Sequence, residues 1–179
     1  MNEGAANLVD HVLPEGVPIR QWVLTLPYPL RYPLAFDGRH LSKVHRIFTD
    51  TVSAWYRRNH PEGKTGAVTV IQRASSDLRL NPHFHTLFLD GVYLPSQAGN
   101  ASDGVASDGE VPTFTAAPTP SQEDVESVVQ RARKRILRYL EKRGVLRWST
   151  VGGAVAPPAL SRSALCAPRP LHSHLETAR

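Results

Sequence analysis

The stretch LNPHFHTLFLDGVY, residues 80–93, constrains this chain more than any other. It is an apolar run bounded by turn-forming residues, which reads as a strand from about Pro82 to Tyr93. Along a strand, successive side chains point to opposite faces. Phe84 and Thr86 therefore share one face, where Phe84 can anchor the strand in a core. His83 and His85 share the other face, about 6.6 Å apart at Cα by the strand rise. Two imidazoles at that spacing can close on one metal ion through their ring nitrogens. They can equally be two solvent-facing histidines, because so short a motif arises often by chance.

The flanking residues suggest what that strand pairs with. Residues 67–73, AVTVIQR, are a β-branched strand, and the short connection ASSDLRLNP makes an antiparallel hairpin the simplest pairing. IRQWVLTL, residues 19–26, reads as another strand. In PYPLRYPL, Pro27, Pro29 and Pro33 argue against a helix and for an extended loop. From Gly38 to Arg58 the period becomes helical: Leu41, Val44, Phe48, Val52 and Trp55 recur at steps of three and four, behind Asp37 as N-cap. Residues 95–112 are polar and Gly/Ser-rich, which predicts a mobile loop. TFT, residues 113–115, is a candidate short strand.

Ser121 and the acids Glu123 and Asp124 then open a helix over about 122–143. Val125, Val128, Val129, Ala132, Ile136, Leu137 and Leu140 form its apolar stripe, and Gly144 sits where a C-cap belongs. VLRW, residues 145–148, is a candidate last strand. From Ser149 onward no period is sustained, which predicts a largely irregular or disordered tail over 149–179. The sum is an α+β domain over 1–148: a central antiparallel sheet with flanking helices.

Composition narrows the functional classes. The 179 residues carry a net charge of +5, which favours a polyanionic partner. Arg131, Arg133, Lys134, Arg135, Arg138 and Lys142 load the polar side of the second helix. They can grip phosphates without reading sequence, or form an ordinary solvated face. Arg20, Arg31 and Arg39 could extend the patch, and Trp22, Tyr28 and Tyr32 could stack on unpaired bases, with core packing the alternative for Trp22. One cysteine excludes a disulfide framework or a cysteine-rich zinc site within this chain. No signal peptide or membrane span is evident, so a cytoplasmic protein is expected.

LVDHVLPEGVPIRQWVLTLPYPLRYPLAFD (8–37), TGAVTVIQR (65–73) and LNPHFHTLFLDGVY (80–93) occur in an order that resembles the HUH (His-hydrophobe-His) endonuclease superfamily. More specifically, they resemble the two-tyrosine rolling-circle transposases of bacterial insertion sequences. Residues 112–146 match that family's next segment in layout. The resemblance implies the HUH palm fold and DNA transposition through single-stranded DNA. It implies that His83, His85 and a third polar ligand hold magnesium or manganese against the scissile phosphate. Tyrosine attack would then give a 5′-phosphotyrosine and a free 3′-hydroxyl. Imidazoles alone select magnesium poorly, so an oxygen ligand is expected. Gln72 on the neighbouring strand is the candidate, and Asp77 in the turn its rival.

The nucleophile is where the sequence departs from the family. The family's paired tyrosines precede an Arg-Pro-Pro-like sequence; here ALCAPRPLHSHL (164–175) has the Arg-Pro echo but no tyrosine. The resemblance therefore implies a fragment lacking the N-terminal zinc-binding module and the C-terminal tyrosines, inactive alone. Tyr139 begins YLEK, a Tyr-x-x-Lys of the kind seen in single-tyrosine initiators of the superfamily. It also flanks the helix's apolar stripe, so packing and catalysis both remain open for it. Tyr28 and Tyr32 are four apart, but the prolines argue against the helix that would align them. A non-catalytic DNA-binding protein acting through helix 122–143 is the competing class.

Overall fold

A computed structural model describes residues 14, 16–75, 77–95 and 111–146, and the backbone of 165–171. Its elements are β1 (Ile19–Thr25), α1 (Tyr28–Phe36), α2 (Gly38–Tyr56), β2 (Ala67–Ala74), β3 (Leu80–Leu89), β4 (Gly91–Leu94), β5 (Thr113–Ala116), α3 (Gln122–Lys142) and β6 (Leu165–Leu171). The fold is α+β. An antiparallel sheet runs in the order β2-β3-β1-β6, and β4 and β5 form a separate two-stranded ribbon.

One face of the sheet carries the core. Trp22 and Leu24 from β1 and Phe84 and Phe88 from β3 are buried against Leu41, Val44, Phe48 and Val52 of α2 and Val128, Ala132, Ile136 and Leu140 of α3. Burial alternates strictly along β3 from Pro82 to Phe88, as a period of two requires. Asp37 caps α2 by accepting from the Arg39 and His40 amides. Ser121 and Asp124 form a reciprocal capping box on α3. Gly144 adopts φ +69°, the left-handed conformation a helix C-cap favours.

Four features differ from the sequence reading. PYPLRYPL is not an extended loop: it opens α1. Pro29 falls in the first turn, where its missing N–H has no helical partner in any case. Pro33 is interior and costs about 3 kcal/mol. Leu30 and Leu34 are fully buried, at about 1.5–3 kcal/mol each, which offsets that cost.

The second difference is the strand expected from Pro82 to Tyr93, which breaks at Asp90, after which β4 leaves to pair with β5. Gly91 permits the departure, since a Cβ there would stand 2.2 Å from the Thr115 carbonyl oxygen. Third, Val145 and Leu146 are not in a strand, and residues 147–148 lie outside the described residues. Finally, within the segment expected to lack a pattern, Leu165–Leu171 forms β6 at the sheet edge. Pro168 and Pro170 are compatible with an edge position. The N-terminal segment 1–13 and loop residues 96–110 lie outside the described residues.

Asp90, at the end of β3, turns inward. Its carboxylate accepts from Arg20 Nε at 2.7 Å and Nη2 at 2.5 Å, and from the Tyr56 hydroxyl at 3.1 Å. Trp22 Nε1 donates to that same hydroxyl at 3.2 Å. Arg20, considered above for a DNA-binding surface, is instead only 4% exposed. Burial pushes the Tyr56 hydroxyl far above the usual tyrosine range, so it serves as a neutral donor. The cluster ties β1, α2 and the β3–β4 turn together. Asp90→Ala would leave the Arg20 guanidinium buried and unpaired. It is expected to cost about 3–5 kcal/mol in urea unfolding; a loss under 1 kcal/mol would contradict this role.

Candidate functional site

The face of the sheet opposite the core holds the histidines. His83 and His85 are half-buried, between the buried Pro82, Phe84 and Thr86. Their ring centroids lie 4.9 Å apart at an interplanar angle of 67°. β3 is an inner strand, flanked by β2 and β1, so each histidine has two cross-strand neighbours. Gln72 and Thr25 oppose His83, and Val70 and Val23 oppose His85. Directly opposed residues of antiparallel strands share a face, with Cβ atoms about 4.5–5.5 Å apart. Gln72 is therefore the immediate neighbour of His83 on the histidine face, and its side chain is exposed.

The hydrogen bonds orient the rings. His83 Nδ1 stands 2.5 Å from the Asn81 carbonyl oxygen, which can only accept. Nδ1 therefore carries the proton, and Nε2 keeps a free lone pair. This is how a metal-ligating imidazole is usually held. His85 Nδ1 meets the Gln21 side-chain amide at 3.1 Å. The facing amide atom is the nitrogen, Nε2, which donates to Nδ1; a half-turn of the amide would bring its oxygen there and give His85 the tautomer of His83. Burial, and then the neighbouring His83, lower the His85 pKa and favour the neutral ring. The Asn81 side-chain oxygen is buried without a hydrogen-bond partner.

These residues could hold a cation: two imidazole nitrogens, the Gln72 amide oxygen beside His83, and an unpartnered Asn81 oxygen close by in sequence. No cluster of three or more His, Cys, Asp or Glu side chains able to hold a metal occurs among the described residues. Any ion held by the pair would need amide, water or phosphate oxygens. Asp77, the rival ligand, is occupied locally. It accepts from Ser75 Oγ at 2.5 Å and pairs with Arg79 Nε at 3.1 Å, and the Ser75 hydrogen bond leads in lowering its pKa.

The structure does not bring Tyr139 to the imidazoles. It lies on α3 in the helical layer, on the Phe84 side of the sheet. Its hydroxyl meets His40 Nδ1 at 2.8 Å, and the ring packs against the core. None of the chain's five tyrosines sits on the four strands of the main sheet: Tyr28 and Tyr32 are on α1, Tyr56 on α2, Tyr93 on β4 and Tyr139 on α3.

The basic residues of α3 divide by role. Arg135 donates to Thr51 Oγ1 at 2.8 Å and pairs with Asp50 at 3.6 Å, so it ties α3 to α2. Arg133 is half-buried. Arg131, Lys134, Arg138 and Lys142 are exposed at steps of three and four, one solvent-facing stripe. Gln21 and Asn81 escaped the sequence reading. Their one signal was position: Asn81 is two residues before His83, and Gln21 lies on a strand whose partner the sequence does not name.

Comparison with known proteins bears on this arrangement at one point. Residues 66–151, from β2 to beyond α3, match the family model described as "Putative transposase". That segment contains Gln72, His83, His85 and the α3 cations. No curated protein and no solved structure matches the chain. No helix among the described residues is long and apolar enough to cross a membrane.

The hydrogen bonds set a testable tautomer. Nitrogen-15 NMR of the neutral rings should show His83 protonated at Nδ1, and Gln21→Ala should shift the His85 ring signals while leaving those of His83 in place. An Nε2–H tautomer at His83 would contradict the geometry.

Proposed function

We propose that this chain supplies the metal- and DNA-binding face of a transposase of the HUH two-tyrosine type, acting on single-stranded DNA. The observation that carries this reading is His83 and His85 side by side on the open sheet face, with Gln72 directly across from His83, inside the transposase-like segment. His83, His85 and Gln72 would hold magnesium or manganese. Two nitrogens and one amide oxygen leave further coordination positions for water and phosphate oxygens. When bound, the ion would polarise the scissile phosphodiester.

The protein's own part is orientation. The Asn81 carbonyl fixes the His83 ring, Gln21 fixes the His85 ring, and β3 holds both from a packed core. The exposed Arg131, Lys134, Arg138 and Lys142 grip backbone phosphates elsewhere on the substrate. No tyrosine sits on the strands of the main sheet, and although α1 aligns Tyr28 with Tyr32, both lie on the helix rather than beside the imidazoles in the sheet, so the 179-residue chain by itself is expected to bind single-stranded DNA without cutting it.

A second reading is favoured by that cationic stripe alone: a non-catalytic DNA-binding protein held through α3. The two separate by titration. On the metal-centre reading, calorimetry detects manganese binding that His83→Ala/His85→Ala weakens at least about 10-fold. On the second reading, manganese does not bind at the pair. Both predict that replacing the four stripe cations by serine flattens the salt dependence of single-stranded DNA binding by about 0.7 in log–log slope per cation. Nicking of single-stranded DNA with manganese, lost in Tyr139→Phe, would overturn the inactive reading and return Tyr139 to the chemistry.

A further inference from the structure

The most exposed aromatic surface is not at the histidines. Tyr28, Tyr32 and Phe36 are 82%, 69% and 70% exposed. They recur every four residues on α1, one stripe rising about 6 Å per step. Buried Leu30 and Leu34 hold the opposite side of the helix in the core, so the stripe is presented on a firm base. Tyr32 and Phe36 touch at 4.8 Å between centroids, while Tyr28 stands free for most of its surface. Three large rings on a nine-residue helix are an unusual amount of apolar area to leave in water.

What adjoins the stripe indicates its partner. Phe36 borders an open, shallow surface that runs onto α2, where Arg39, Ser42, Lys43 and Arg46 line it. Arg39, Lys43 and Arg46 are one face of α2 at steps of four and three. Asp37, the acid on that surface, is engaged as the α2 N-cap. Lys43 and Arg46 form no ion pair among the described residues, and Arg39 meets Asp37 only at 3.9 Å with its side chain 94% exposed. A row of rings leading onto a cationic surface has the chemistry that suits a single-stranded nucleic acid: π faces for unpaired bases and cations for the backbone. Duplex DNA, whose bases are stacked on one another, offers the rings nothing.

The platform also starts at the correct end of the sheet. Thr25, the last residue of β1, pairs with His83. Three residues later Tyr28 opens α1. A strand lying on the rings would leave α1 at the His83 end of β3.

We propose that Tyr28, Tyr32 and Phe36, with Arg39, Lys43 and Arg46, form a stacking platform that binds the unpaired strand and leads it toward the histidine face. The platform rests on the single-stranded DNA reading above and adds the surface that selects unpaired over paired DNA.

The test is fluorescence anisotropy with a mixed-sequence single-stranded oligonucleotide and its duplex. Tyr28→Ala/Tyr32→Ala should weaken single-strand binding about 10-fold or more and leave duplex binding unchanged. Tyr28→Phe/Tyr32→Phe, which keeps the rings, should bind as the parent does. Thermal unfolding of both variants should match the parent, since neither ring is in the core. Unchanged single-strand binding by the alanine variant would overturn the platform. So would an equal loss on duplex, or loss in the phenylalanine variant. A parent dimer that the alanine variant dissolves would assign the stripe to a second copy of the chain instead. Manganese calorimetry on the same proteins keeps the two proposals apart: a platform that passes while the histidine pair binds no manganese leaves the platform standing and removes the metal-centre reading.

Discussion

The buried pair between Arg20 and Asp90 holds the register on which everything else rests. β3 must serve two masters, a core on one face and a polar site on the other, and a period-two strand can do so in only one register. A slip of one residue would carry His83 and His85 into the core and expose Phe84 and Phe88. Burial of each phenylalanine contributes about 1.5–3 kcal/mol against the slip. The bidentate Arg20–Asp90 contact adds a directional lock. It joins β1 to the turn after β3 and takes Tyr56 of α2 with it. The chain turns away directly after this lock, at Gly91, where β4 leaves to pair with β5.

From that lock follows a division of labour between the two faces. The helical layer covers the Phe84 side and absorbs Tyr139, Tyr56 and Arg135 into packing and hydrogen bonds. The other side keeps two oriented imidazoles and an exposed amide. Cations that remain in water sit on the outer surfaces of α2 and α3, where they can reach a phosphate backbone. On the proposed function, the protein would bind a long polyanion over its outside and present its chemistry on one strand.

Much of this was legible in the sequence because it is local. The alternation of β3, the helical period of α2 and α3, the Asp37 and Ser121 caps and the Gly144 stop each depend on residues within a few positions. Gln72 was nameable because a hairpin fixes its approximate partner. What was not legible depends on contacts far apart in the chain. Pro33 looked like a veto on a helix, and only the burial of Leu30 and Leu34 overrides it. Arg20 looked like a surface cation until its partner, 70 residues away, was known. Gln21 became an orienting residue only once β1 was seen to lie beside β3. The correction at α1 mattered most, because it turned two tyrosines in a supposed loop into a rigid exposed row.

The central claim is that His83 and His85 are ligands to one divalent ion. Electron spin-echo modulation of manganese bound to the intact chain tests it most directly. The account predicts nitrogen-14 modulation from two imidazoles, reduced to one in His85→Ala and absent in His83→Ala/His85→Ala. Manganese bound without imidazole modulation, or modulation that survives the double substitution, would contradict it.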